Sequence, residues 1–141
     1  MIKVFFDSSV IFSGIYSQTG ASAKLVFLVK KDKIKGITSQ TVIKELKQNL
    51  RKLESLDEKK LDLFILKNNF LVLDKISKRE IKKYNFVEPK DAHVVAGALL
   101  TKCNFLVTLH KKHLNNSQIK AKINEIKMVS PKEMLLAFLK L

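Results

Sequence analysis

Five short apolar runs alternate along the chain with longer segments of helical pattern, and this alternation is the tightest constraint on what it can fold into. Ile2 to Phe6, Ile34 to Thr38, Leu71 to Leu73, Phe105 to Thr108 and a stretch near Ile126 to Val129 are each too brief for a buried helix. Strands that are apolar on both faces and joined by helices require a parallel sheet covered on both sides, so an α/β class is expected. With 141 residues, 46% of them apolar, the chain supplies one core rather than two. Residues 1–141 therefore read as a single domain, without internal repeat, low-complexity tract or linker.

The helical segments are marked by spacing and caps. Ser22 to Lys31, after Gly20, is apolar on most sides and predicts a largely buried helix. From Thr41 to Leu53, Val42, Ile43, Leu46, Leu50 and Leu53 form an amphipathic stripe, with Ser39 as N-cap and Glu45 beside the stripe. Asp57 and Glu58 open a further helix through Leu61 and Ile65, and Ser77 to Tyr84 is a short one. After Pro89, Asp91 to Thr101 is a helix of small residues. Ser130, Pro131 and Glu133 supply an N-cap, a first-turn proline and a capping-box partner for the last helix. The polar run Asp7, Ser8, Ser9 is read only as the end of the first strand, and His110 to Lys122 as a basic loop.

The charge balance, 27 basic against 13 acidic residues for a net +14, favours a polyanionic partner such as nucleic acid or anionic lipid. Nearly all of the cations are lysines, Arg51 and Arg79 being the exceptions, and lysine-rich surfaces also arise from genome composition or heat adaptation. Cys103, the single cysteine, excludes an internal disulfide and a multi-cysteine zinc site, and is expected to pack as a small apolar residue. The sequence carries no signal-peptide pattern and no apolar stretch of membrane-spanning length, so a cytoplasmic protein without membrane attachment is expected.

In open parallel sheets the functional crevice lies beyond the carboxyl ends of the strands, where the strand order reverses. Asp7 and the segment Thr108 to His110 both fall just past such ends, and the helices bearing Glu45 and Asp91 can lean over the same place. Carboxylates drawn together repel one another unless a cation neutralises them, and hard oxygen donors favour Mg²⁺ or Mn²⁺. Each residue also has a plainer reading. Asp7 can end a strand in an Asx-turn, Asp91 can cap or open its helix, and Glu45 can pair with Lys44, Lys47 or Lys52. His93 and His113 read as helix-face and loop residues, and Asp57, Asp62 and Asp74 as helix-start or solvated acids. The lysines of Lys30 to Lys35 and of Lys111 to Lys122, Lys111 and Lys112 foremost, fit phosphate contacts or a solvated face.

Four segments together resemble the PIN-domain nucleases, and among them the toxin ribonucleases of prokaryotic toxin-antitoxin pairs. They are Val4-Phe5-Phe6-Asp7-Ser8-Ser9-Val10-Ile11, Ser39-Gln40-Thr41-Val42-Ile43-Lys44-Glu45-Leu46, Pro89-Lys90-Asp91-Ala92-His93-Val94-Val95-Ala96-Gly97-Ala98 with Phe105-Leu106-Val107-Thr108 after it, and Ser130-Pro131-Lys132-Glu133-Met134-Leu135. The resemblance implies a three-layer α/β/α fold with strand order 3-2-1-4-5. It also implies metal-dependent RNA cleavage at Asp7, Glu45 and Asp91, a homodimer and a cognate antitoxin protein. Ser8, Ser9 and Thr108 would orient water or carboxylates by their hydroxyls. The sequence departs from the family pattern at His110, which stands after Thr108-Leu109 where a fourth acid is usual. His110 is then a ligand better suited to Mn²⁺, a proton shuttle, or a loop residue. A non-catalytic RNA- or partner-binding module is the alternative function. A phosphoacceptor receiver domain is disfavoured because paired acids do not follow the first strand, and a P-loop because no Gly-Lys-Ser or Gly-Lys-Thr is present.

Overall fold

The computed structural model describes residues 1–53, 57–110, 119 and 123–141, with the backbone alone at 52, 53 and 89. Lys111, Lys112 and His113, together with most of the basic loop, lie outside the described residues. The elements in chain order are β1 (Lys3–Phe6), α1 (Ser8–Tyr16), α2 (Ala21–Lys30), β2 (Lys35–Ser39), α3 (Gln40–Leu53) and α4 (Glu58–Lys67). There follow β3 (Leu71–Leu73), α5 (Lys78–Lys82), α6 (Pro89–Leu100), β4 (Phe105–Val107), β5 (Lys127–Val129) and α7 (Pro131–Leu139). All five expected strands form, each within a residue or two of its expected bounds. They make one sheet of order β3-β2-β1-β4-β5 in which every pair is parallel.

Alternation along β1 assigns helices to the two faces. Val4 is in register with Gly36 of β2, and a Cβ at Gly36 would press on Val29 of α2. Phe5, the next residue and hence on the other face, lies under Gly97 of α6, where an added Cβ would stand 2.7 Å from Phe5 Cζ. Helices α2 and α6 thus cover opposite faces, and α1 and α7 pack beside α2 while α5 packs beside α6. Val4, Phe5 and Phe6 are fully buried between these layers, as the unbroken apolar run requires.

One helix was not legible as such. Helix α1 begins immediately after β1, with Asp7 in extended conformation as its N-cap and its carboxylate accepting the Ser8 N–H. Serines are weak helix formers, so Ser8 and Ser9 hid the start of a segment whose Val10 and Ile11 are fully buried. The other caps follow the sequence reading. Ser39 Oγ accepts the Val42 N–H at 3.1 Å, Asp57 caps α4, Ser77 caps α5, and Ser130 with Glu133 closes a capping box on α7. At α6 the N-cap position belongs to Glu88, without a side-chain bond, and Asp91 is a first-turn acid.

Candidate functional site

Strand register brings the first two groups together. Phe6 is paired with Val107, so Asp7 and Thr108 are the opposing residues just past the carboxyl ends of β1 and β4. Strands β2 and β3 build outward from one side of β1, β4 and β5 from the other, so this is where the strand order reverses. Thr108, fully buried, donates its hydroxyl to Asp7 Oδ2 at 2.7 Å and accepts the His110 N–H at 3.0 Å. Ser9 Oγ donates to the same Oδ2 at 3.1 Å, and the Ser8 N–H to Oδ1 at 2.7 Å. A carboxylate that is 5% exposed is thereby kept in one orientation by three donors from two elements.

Ser8 links this acid to the next. Its hydroxyl lies 2.6 Å from Glu45 Oε1 and 3.4 Å from Asp7 Oδ1, and with a single proton it donates across the shorter distance to Glu45. The other oxygen, Glu45 Oε2, stands 3.0 Å from Nε2 of His93. Burial raises the Glu45 carboxyl pKa, but the bonds from His93 and Ser8 and the charges of His93 and His110 outweigh it and leave the group below its ordinary value. Glu45 is therefore an anion at neutral pH, and as a pure acceptor it requires the hydrogen on His93 Nε2.

His93 is the residue that sequence reasoning assigned elsewhere. Instead of an ordinary helix-face residue it is 6% exposed and holds Glu45 in place. The available signal was its spacing: two positions after Asp91 on one helix, it reaches sideways to α3 while Asp91 faces the cavity. Lys47, a suggested partner of Glu45, pairs with Asp62 instead. Asp57 caps a helix, Asp74 is exposed, and neither borders the site. The lysines of Lys30 to Lys35 lie between the end of α2 and the start of β2, at the amino end of the sheet and away from the crevice. Cys103 is buried, as expected, and burial pushes its thiol pKa up.

One cavity of about 600 Å³ is lined by Asp7, Glu45, Asp91, Ser8, Ser9 and His110. Asp91 reaches it from the first turn of α6 and is 8% exposed, while His110 is exposed at the rim. The oxygen donors match a hard cation, yet among the described residues no three His, Cys, Asp or Glu side chains converge into a ready-made ion cage. Such a donor set fits an ion that keeps part of its water shell, as Mg²⁺ does.

A sheet of order 3-2-1-4-5 between two helix layers, with an acid-lined crevice at its reversal point, defines the PIN-like class of α/β/α proteins. The family model described as PIN domain matches residues 3–112, and the chain belongs to that family. Two solved structures share the fold. The crystal structure of VapBC2 from Rickettsia felis bound to a DNA fragment from their promoter is 16% identical, covers 92% of this chain and 98% of its own, and gives a TM-score of 0.62. PAE2754 from Pyrobaculum aerophilum is 16% identical over 99% of this chain and 97% of its own, with a TM-score of 0.62. No curated protein sequence matches. Among the described residues no helix is long and apolar enough to cross a membrane.

Proposed function

We propose that this chain is an endoribonuclease that hydrolyses RNA phosphodiester bonds with Mg²⁺ or Mn²⁺, and that it is the toxin of a toxin-antitoxin pair. The observation that carries the reading is that Asp7, Glu45 and Asp91, from three separate elements, line one cavity at the sheet's reversal point. Membership of the PIN family and the fold shared with VapBC2 support it. The three carboxylates would hold the cation, with retained waters spanning what the side chains leave open. When bound, such a cation would polarise a phosphoryl oxygen and make a water more acidic. Ser8, Ser9 and Thr108 keep the carboxylates aimed before the substrate arrives, and His93 fixes Glu45 from behind. On the same reading the chain works as a homodimer in the cytoplasm, is restrained by an antitoxin protein, and uses Lys111 and Lys112 on RNA phosphates.

The direct test is cleavage of a mixed RNA pool with Mg²⁺ or Mn²⁺ by wild type and by Asp7→Asn. A preparation that binds RNA under these conditions but never cleaves it is the result that selects the binding-module alternative.

His93→Leu removes the donor to Glu45 while keeping apolar bulk. The cleavage rate is expected to fall by about 10- to 100-fold, the usual range for groups that orient a metal ligand. His93→Gln, whose amide still donates, is expected to recover part of it. Single-turnover rates check this, and a His93→Leu enzyme as fast as wild type would show that Glu45 needs no support.

His110→Asp places a carboxylate at the cavity rim, next to the backbone N–H that Thr108 anchors. Its expected effect is a severalfold gain in Mg²⁺-supported cleavage with a smaller gain in Mn²⁺, because the added oxygen replaces a nitrogen donor that suits Mn²⁺ better. Parallel rate measurements in the two ions check it, and unchanged rates in both make His110 a bystander.

A further inference from the structure

The acids form only the floor of the cavity. Phe12 and Ser13 follow Ser9 by three and four residues along α1, and Asn49 follows Glu45 by four along α3. At these spacings a residue stands on the same helix face about 5.4 Å further along the axis. All three line the same cavity as the carboxylates, so it has a second tier, one helical turn from the first, that carries no charge. This tier presents an aromatic ring, a hydroxyl and a side-chain amide. The Phe12 ring is half-buried and lies against Tyr16, with ring centroids 4.6 Å apart. Lys90 of α6 borders the cavity as well and is exposed there.

We propose that Phe12, Ser13 and Asn49 form a subsite for one unpaired nucleobase next to the phosphate held at the acidic floor. The inference rests on the nuclease reading and extends it to the side chains that would contact a base. A nucleobase has both features the tier is built for: a π-face that stacks on an aromatic ring, and a polar edge that pairs with an amide and a hydroxyl. The chain's net charge of +14 and the Lys90 ammonium suit the phosphates flanking that base. A base paired within a duplex is stacked and does not reach into a cavity, so the subsite takes a base that is unpaired.

Single-stranded RNA oligonucleotides carrying 2-aminopurine at one position at a time test the subsite. They are mixed with the wild-type chain in EDTA at low salt, where no metal supports cleavage. At one position wild type is expected to quench the fluorophore, and Phe12→Leu to lose most of that quenching and bind about tenfold more weakly, the usual worth of one stacked base. An abasic nucleotide at that position is expected to make the two proteins bind alike. Asn49→Ala, a substitution at an exposed position, is expected to change the preference among the four bases severalfold. Unchanged quenching and affinity in a Phe12→Leu chain with wild-type circular dichroism overturns the subsite. If Phe12→Leu does not fold, an unchanged base preference in Asn49→Ala overturns it. Quenching and base preference as expected, with no cleavage of any RNA by wild type in Mg²⁺ or Mn²⁺, refutes the nuclease reading and leaves the subsite standing.

Discussion

Asp7→Asn is expected to lower the single-turnover rate of metal-dependent RNA cleavage by about 10²- to 10³-fold, the scale of loss when one preorganised electrostatic group is removed. The substitution is nearly isosteric, so the loss reports charge rather than shape. Asparagine caps helices as well as aspartate does, so α1 retains its start. Its amide oxygen accepts from the Ser8 N–H as the carboxylate did. The amide nitrogen meets Ser9 and Thr108 instead, whose hydroxyls donate to Asp7 Oδ2 in the native chain. Thr108 Oγ1 already accepts the His110 N–H, so its own proton loses its partner. One mismatched buried hydroxyl costs about 1 to 3 kcal/mol, visible in a melt but compatible with a folded chain. A rate assay paired with circular dichroism separates the two effects. Equal cleavage by the mutant and wild type would falsify the site assignment and point to a contaminating nuclease.

Phe5→Ala is expected to destabilise the chain by about 3 to 5 kcal/mol, the usual range for a buried phenylalanine truncated in a core. Against a total stability of about 5 to 15 kcal/mol this is a large fraction, and urea denaturation measures it directly. The reason lies in the seam between β1 and α6. The Phe5 ring fills the space that the missing side chain of Gly97 leaves open, with Ile76 closing in from the side. A cavity left there is bordered by a strand in the middle of the sheet and a packed helix, which have little freedom to collapse. The same contact makes Gly97→Ala destabilising by about 1 to 3 kcal/mol through overpacking. The double variant Phe5→Leu with Gly97→Ala is expected to be more stable than the two single losses predict, because the new methyl enters the volume the smaller side chain vacates. Additive losses would show that the helix does not rest on this ring. The seam also sets the site, since β1 ends one residue before Asp7 and α6 begins two residues before Asp91. A shift of α6 relative to β1 therefore moves one acid against the other.

The fold was readable because its signals are local. Runs such as Ile2 to Phe6 and Phe105 to Thr108 are too short and too apolar to be anything but buried strands. Caps such as Ser130 with Glu133 mark helix starts by hydrogen bonds within four residues. Helix α1 escapes because its first two residues are serines and its N-cap, Asp7, carries the pattern of a strand end. The residue is both, and in the structure the strand passes into the helix without an intervening loop.

The site divides along the same line. The sequence by itself determined which acids end strands or open helices, because strand ends and helix starts are local events, while the strand order, and with it the reversal point, was only what the family resemblance implied. Only the tertiary structure decided which side chains meet. The pairing of Phe6 with Val107 sets Thr108 against Asp7 across a gap of 101 positions, and that register belongs to the sheet, not to either strand. The burial of His93 and its bond to Glu45, 48 positions away, depend on how α6 is packed on the sheet. That packing is set by volumes such as Phe5 under Gly97, which no pattern of residue types along the chain encodes.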